Sequence, residues 1–406
     1  MSRTSTFSSL ASLVLLAGTS SLTQAEDWPF FRGPHHTGAS SETNWKVWND
    51  EPKVAWKTDV GIGASSFTVV GNHVLTSGNM EDHDVIFCLD LNTGKEKWSR
   101  RIPCKFEKRM FEGGTASTPT VADGHVYNLT YDGQLQCLRL EDGSPVWTTN
   151  LLDEYKGKLS RWKYAGSPLV HGDHLVVDVG GDGNSTLCLD RKTGEKIWGT
   201  GDDNAGYASP VPISSGGMEA ILVFKGKKLV AHSAANGKEL WEVKWKTSYD
   251  VNASTPVPVG TDRLLVSSGY GGGRAALFDT SKRKPKELWL NKDIKTKMSS
   301  CVVHGDHVFA VCGDSDGQLV CVGLKDGKTL WTQKGFGFGS VALAGDRLIV
   351  LGEKGNLVIA KANGESYQPL AQAQILQKSC WVNPVLANGR ILCKNNKGSV
   401  VCIDVR

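Results

Sequence analysis

The chain repeats itself, and that limits its fold more than any other feature. The stretch CLDLNTGKEKW at residues 88–98 returns as CLRLEDGSPVW (137–147), CLDRKTGEKIW (188–198), AHSAANGKELW (231–241) and CVGLKDGKTLW (321–331). In all five, a Gly stands four residues before a Trp, and a small residue stands six before that Gly. Looser copies end at Trp289 and, as IAKANGESY, at Tyr367. A period of about forty residues is that of propellers and solenoids. Length alone would suggest two or three domains, but one repeated unit argues for one ring.

Each unit opens with small residues before a short apolar run, as in SSFTVV (65–70), ASTPTV (116–121) and ASTPVPV (253–259). A polar turn follows, then a β-branched run such as HVFAVC (307–312), then a second turn into the strand that ends near Cys88 or its equivalents. Short β-branched runs parted by Gly, Asp and Asn are strand signals. Each unit supplies four antiparallel strands, and no apolar run of helical period competes. The Asp-Leu-Asn-Thr-Gly segment at 90–94 could hold a metal or a phosphate, but its Asp becomes Arg139, Ser233 and Gly323 in other copies. A turn needing a residue at positive φ explains the Gly, with the Trp folding over the blade edge onto its neighbour.

Seven units run from about residue 62 to 372. The tail 381–406 holds three strands and lacks the fourth, which should carry a Trp. The lone strand PKVAWKTDV (52–60) carries Trp56 and has no unit of its own. Pairing 52–60 with 399–406 completes an eighth blade and removes an open edge. The expected architecture is therefore all-β: an eight-bladed propeller of four-stranded antiparallel blades over residues 52–406. Its docking residues are Trp56, Trp98, Trp147, Trp198, Trp241, Trp289 and Trp331. A seven-bladed ring is the alternative if the unit at 339–372 is not a blade.

Arg3, the apolar run LASLVLLAG (10–18) and SLTQA before Glu26 read as a secretory signal ending near Ala25. The run is too short to span a bilayer. Residues 26–51 form an N-terminal extension, in which Phe30, Phe31 and Arg32 are placed to pack against the ring or plug its channel. The expected product is soluble and exported to the periplasm or beyond, with no membrane span, as a monomer. A formal charge of +4 is too small and too evenly spread for a nucleic-acid partner. Of ten cysteines, Cys88, Cys137, Cys188, Cys321 and Cys402 share one repeat position, where another copy has Ala231. Equivalent strands of neighbouring blades lie beyond the roughly 7 Å Cα limit for a disulfide, so these five read as small buried apolar residues. Cys104, Cys301, Cys312, Cys380 and Cys393 are left as the ones that could pair. No metal-ligand spacing of Cys and His exists.

The unit [Cys/Ala]-Leu-Asp-x-x-Thr-Gly-x-x-x-Trp, plainest at 88–98 and 188–198, resembles the PQQ-like (quinoprotein alcohol dehydrogenase-like) β-propeller repeat. The resemblance covers nearly the whole chain after residue 26, and WPFFRGP (28–34) looks like the opening of many exported members. It implies an eight-bladed ring locked by docking tryptophans. One branch comprises dehydrogenases holding PQQ and calcium in the channel, with a pair of adjacent Cys; this chain has no Cys-Cys dipeptide. The other is similar to BamB, an outer-membrane assembly lipoprotein and binding scaffold, although no lipid-carrying Cys follows the signal here. The expected function is a BamB-like, non-enzymatic scaffold that holds a protein or polymer partner of the cell envelope, without cofactor or metal. The alternative is a PQQ-type oxidoreductase or small-ligand binder.

Loops entering the inner strands surround one mouth of the channel. They bring Arg109, Glu112, Lys163, Tyr164, Tyr207, Asp250, Asn252, Lys297, Phe336, Phe338, Trp381 and Asn383 to that face, a mixture of charge and aromatic surface suited to a ligand pocket. A catalytic reading makes Asp250 a general base with Lys163 or Lys297 stabilising an oxyanion. Ordinary rim residues are the simpler reading, and no catalytic set is assigned. Asp314-Ser315-Asp316-Gly317 and Asp182-Gly183-Asn184 look faintly like calcium loops, but equivalent turns carry Lys354 and Lys397.

Overall fold

The short β-branched runs at each repeat position become strands, nearly continuously buried in the middle of each blade. The computed structural model describes residues 25–107, 113–313 and 317–406. Eight sheets follow one another, each built on a four-stranded antiparallel meander, and Ala39–Ser40 adds a fifth, parallel strand to one of them. In the first blade the strands are Thr68–Val70, His73–Met80, His83–Asp90 and Glu96–Pro103. Helix is confined to Leu151–Tyr155 and one turn at Ser248–Asp250 among the described residues. The eighth sheet joins Val54–Asp59 to Ser399–Asp404, with Trp56 opposite Cys402. The ring therefore closes between the two ends of the chain as the repeat count requires.

The Gly–Trp spacing has a cause that the turn alone does not supply. The Trp of one blade lies beneath the turn Gly of the next. A Cβ on Gly94 would stand 2.5 Å from the Trp56 ring, one on Gly143 2.6 Å from Trp98, and one on Gly237 2.5 Å from Trp198. The indole N–H then donates to a carbonyl of that next blade: Trp56 to Leu91 (2.8 Å), Trp98 to Leu140 (2.8 Å), Trp147 to Arg191 (3.0 Å), Trp289 to Leu324 (2.8 Å) and Trp331 to Asn363 (3.0 Å). Trp198 does the same to Ala234 at 3.2 Å. Each Gly is thus needed for its positive φ and for the space above a neighbour's ring. Blades five and seven have no such Gly: Trp241 of blade four donates to the Ser215 hydroxyl at 2.7 Å, and Gly364 of blade seven lies against His307 rather than Trp331.

Small strand-opening residues also bond to one another. The Ser66 amide donates to Thr118 Oγ1, the Thr118 amide to Ser167 Oγ, and the Ser167 amide to Ser209 Oγ, each at 2.9 Å. The Ser209 amide continues to Thr255 Oγ1 at 3.1 Å. This girdle of hydroxyls joins inner strands that no ladder connects.

Two expectations need correction. Tyr367 is not the counterpart of a docking Trp: the residue opposite the central position of its sheet is Ala371, paired with Ile359. Tyr367 packs instead beside Trp331 and Phe336. Trp45, from the extension, fills the interface between blades seven and eight. The cysteines left open for pairing do not pair; all ten are free and buried, with burial pushing the Cys88 thiol up to about 12 and the Cys301 thiol up to about 11.

Candidate functional site: a channel closed at one end

The extension enters the ring rather than lying outside it. At the face carrying the first hairpin of each blade, Trp28 pairs with Val69 of the first inner strand, and the Val121 amide of the second donates to Pro29 O. Arg32 is buried and donates to Thr37 O at 2.6 Å and to Cys301 O. Ala39–Ser40 adds a parallel strand to Ser340–Ala344. Glu42 accepts from the amides of Asn388 and Gly389. Between these anchors, Phe30 stacks on His36 at 5.2 Å. The segment 26–42 is therefore a plug tied to at least five blades, as the sequence allowed for Phe30, Phe31 and Arg32.

Above the plug lies a cavity of about 240 Å³, floored by Phe31. Its walls include Tyr131, Trp162, Tyr207, Tyr270 and Trp381, with Ala64, Ala116, Ala165 and Ala253 between them. Asn383 and Asn396 are its carboxamides. No Asp, Glu, Lys or Arg lines it among the described residues.

Cations stand outside that lining, at the rim, each against a ring face. Arg161 lies 5.0 Å from Trp162 and 5.8 Å from Tyr249. Lys163 lies 4.7 Å from Tyr131 and bonds Glu107 at 2.8 Å. Lys297 lies 4.7 Å from Phe338 and 5.6 Å from Tyr270. The rings brace each other edge-on, Trp162 against Tyr207 at 5.8 Å and Phe338 against Trp381 at 6.2 Å. Lys163, Tyr249 and Asp250 all hold left-handed backbone, a cost that non-Gly residues meet where surrounding structure imposes it.

The mouth residues named from sequence thus separate into groups. Tyr207, Trp381 and Asn383 line the cavity, and Lys163, Lys297 and Phe338 form its rim. Asp250 is paired with Lys227 at 3.5 Å and is not part of the cavity lining. Tyr164, Asn252 and Phe336 are corrections. Tyr164 is buried between blades two and three and donates to Val179 O at 2.7 Å. Asn252 is fully buried and donates to Lys225 O and Gly226 O. Phe336 sits in the core between blades six and seven. Side chains in the same loops alternate between mouth and interior, and spacing alone does not say which way each turns. Arg109, Glu112 and the Asp314–Asp316 stretch lie outside the described residues. At the other calcium-like turn, the Gly183 amide donates to Asp202 and Lys196 donates to Asn184 Oδ1, as in a hairpin turn. Trp162, Tyr131 and Tyr270 were missed; a recurring small residue followed by loop aromatics was the available signal.

These residues do not fit PQQ with calcium. A polycarboxylate and a divalent cation need carboxylate ligands and cationic partners, and the described lining offers neither.

Fold and pocket together define a closed propeller with a one-ended central cup. The family profile described as outer membrane protein assembly factor BamB matches residues 39–161 and 121–333, and the chain belongs to this family of PQQ-like propellers. It is 25% identical to the outer membrane protein assembly factor BamB of Escherichia coli over 371 residues, which is 87% of this chain and 88% of that one. It is 24% identical to the BamB of Burkholderia pseudomallei over 323 residues, 74% of this chain and 75% of that one. Among solved structures, BamB from Moraxella catarrhalis superposes with a TM-score of 0.63 at 14% identity, covering 87% of this chain and 98% of that chain. Quinohemoprotein alcohol dehydrogenase from Comamonas testosteroni gives 0.70 at 14% identity, covering 93% and 80%. The dehydrogenase likeness is one of fold. The chain is a BamB-like propeller scaffold.

Proposed function

We propose that this protein is an exported scaffold that holds a protein or polymer partner of the cell envelope at the mouth of its channel, and that it does so without PQQ, calcium or catalysis. The observation that carries this reading is the asymmetry of the channel. The plug occupies one end, and the other opens through a rim of aromatic and cationic residues onto a lining without a carboxylate, a cationic side chain, a histidine or a cysteine among the described residues. Kinship to assembly factors named BamB supports a protein partner. No helix among the described residues is long and apolar enough to cross a membrane, which fits binding from the aqueous side, and the apolar run at 10–18 supports export.

Affinity capture from the envelope fraction tests this. Lys163→Glu with Phe338→Ala should lower partner recovery at least fivefold relative to the native protein, with the ring still folded. Unchanged recovery means that the mouth is the wrong face. Dye reduction on adding PQQ and calcium would overturn the non-catalytic part.

A further inference from the structure

The cup's chemistry says more than that something binds at the mouth. A cavity of roughly 150 Å³ lined by apolar side chains already accepts benzene, whereas drug-sized ligands occupy about 300 Å³ or more. The present cavity, at about 240 Å³, lies between these limits. It has room for one ring system and little else. Its floor is a phenyl ring, its walls are five aromatic residues, and its gaps are closed by four alanines. Rings held edge-on by their neighbours cannot collapse into the space, so the cup is formed before anything enters it.

The lining also states what the occupant must not be. Moving a formal charge from water into a pocket without a counter-charge is unfavourable by several kcal/mol, and no charged side chain lines the cup among the described residues. Asn383 lines the cavity, and its buried Oδ1 has no hydrogen-bond partner among the described residues. Its main-chain oxygen is already used by Ser66 Oγ at 2.9 Å. A half-turn about the last side-chain torsion presents either the oxygen or the nitrogen of this carboxamide to the cavity. A polar atom on the edge of an entering ring can satisfy it, and a bare hydrocarbon cannot.

From these observations we infer that the cup is a receptor for one uncharged aromatic side chain bearing a single polar atom, a tyrosine or tryptophan presented by the partner. This rests on the proposed reading of the mouth as the partner-binding face, and specifies the element of the partner that enters. Peptide chain flanking the ring would lie over Arg161, Tyr249 and Phe338 on the rim, where Tyr249 is 71% exposed.

Saturation-transfer NMR with N-acetyl-tyrosinamide, N-acetyl-tryptophanamide and N-acetyl-phenylalaninamide tests the inference on the intact protein. The first two should bind about five- to tenfold more tightly than the third, the range expected of one net hydrogen bond. Ala165→Phe, which fills the cup from a half-buried position, should abolish binding of all three. Asn383→Leu should level the affinities and keep the phenylalanine probe. This second variant keeps the test decisive if Ala165→Phe does not fold. Equal affinities for the three probes in the native protein, or binding that survives Ala165→Phe in a folded ring, would overturn the inference. Envelope capture with Ala165→Phe separates the two claims. Partner recovery lost together with probe binding supports both. Recovery retained without probe binding leaves the mouth as the docking face and removes the side chain from the cup.

Discussion

Lys394 shows how far a single residue can depart from its usual state inside this ring. It is fully buried, and its ammonium faces the main-chain oxygens of Ser77 at 2.7 Å and Ser65 at 3.4 Å. Asp59 is the carboxylate whose field favours the charged form, and it does not offset the loss of water; burial lowers the amine to about 7. The unfolded amine keeps a value near 10.5. Between those two values the unfolded chain binds a proton that the folded one does not, so stability rises with pH across this window and is flat below it. The melting temperature of the native protein should therefore climb relative to Lys394→Met from pH 7 to pH 10, with the gap constant below pH 7. Parallel curves through the window would show that the amine stays protonated in the ring. Lys225 is equally buried and is likewise lowered by burial, but there a direct partner opposes the shift: it bonds Asp178 at 2.6 Å and the Ser185 hydroxyl at 2.8 Å. The sequence does not separate these two lysines, because each follows an apolar strand and only the neighbouring blade supplies or withholds a carboxylate.

At the scale of elements, the plug is held in place by buried residues in uncommon states. Arg32 and His36 both hold left-handed backbone, and both are buried. Burial lowers His36 to about 4; its backbone bond to Phe31 opposes this, while His35, Arg32 and His171 add to it. Arg32 is itself lowered to about 10 by burial. His36 is thus neutral when folded. As pH falls from about 6.5 toward 4, the unfolded segment takes up a proton that the folded one refuses, and stability is lost across that interval. Hydrogen-exchange protection factors at residues 28–40, which correct for the intrinsic slowing of exchange in acid, should fall on acidification to pH 4.5 in the native protein. His36→Asn, which keeps a residue tolerant of positive φ, should flatten the response. Unchanged protection factors would place the sensitivity elsewhere. Strands, blade number and ring closure were legible in the sequence because each depends on a pattern repeated with a fixed spacing. The cup was legible only in part. Tyr207, Trp381 and Asn383 were found from their loops, but Tyr164 and Asn252 turned inward, and the apposition of Phe31 to Trp162 across the channel is set by where the extension is threaded, which no local spacing records.

For the whole molecule, the decisive joint is the one between its ends. Trp56 is as buried as Trp289, makes the same 2.8 Å bond to the next blade, and lies under a Gly in the same way. Trp56→Ala and Trp289→Ala should each cost about 3–5 kcal/mol, the range for a buried Trp reduced to Ala, when measured by urea unfolding. A loss below 1 kcal/mol at Trp56 alone would mean that the ring does not depend on its closing strand. The same joint governs how the protein must be made. The segment from the plug through Val54–Asp59 finds its partners in blades one, two, six, seven and eight, and its strand partner Ser399–Asp404 follows seven intervening blades in the chain. Such distant pairings form late, so a nascent copy carries an unsatisfied β-edge and several uncovered aromatic residues until those blades have been made. A chaperone that shields residues 26–60 until residues 399–406 are available is the assistance this topology calls for.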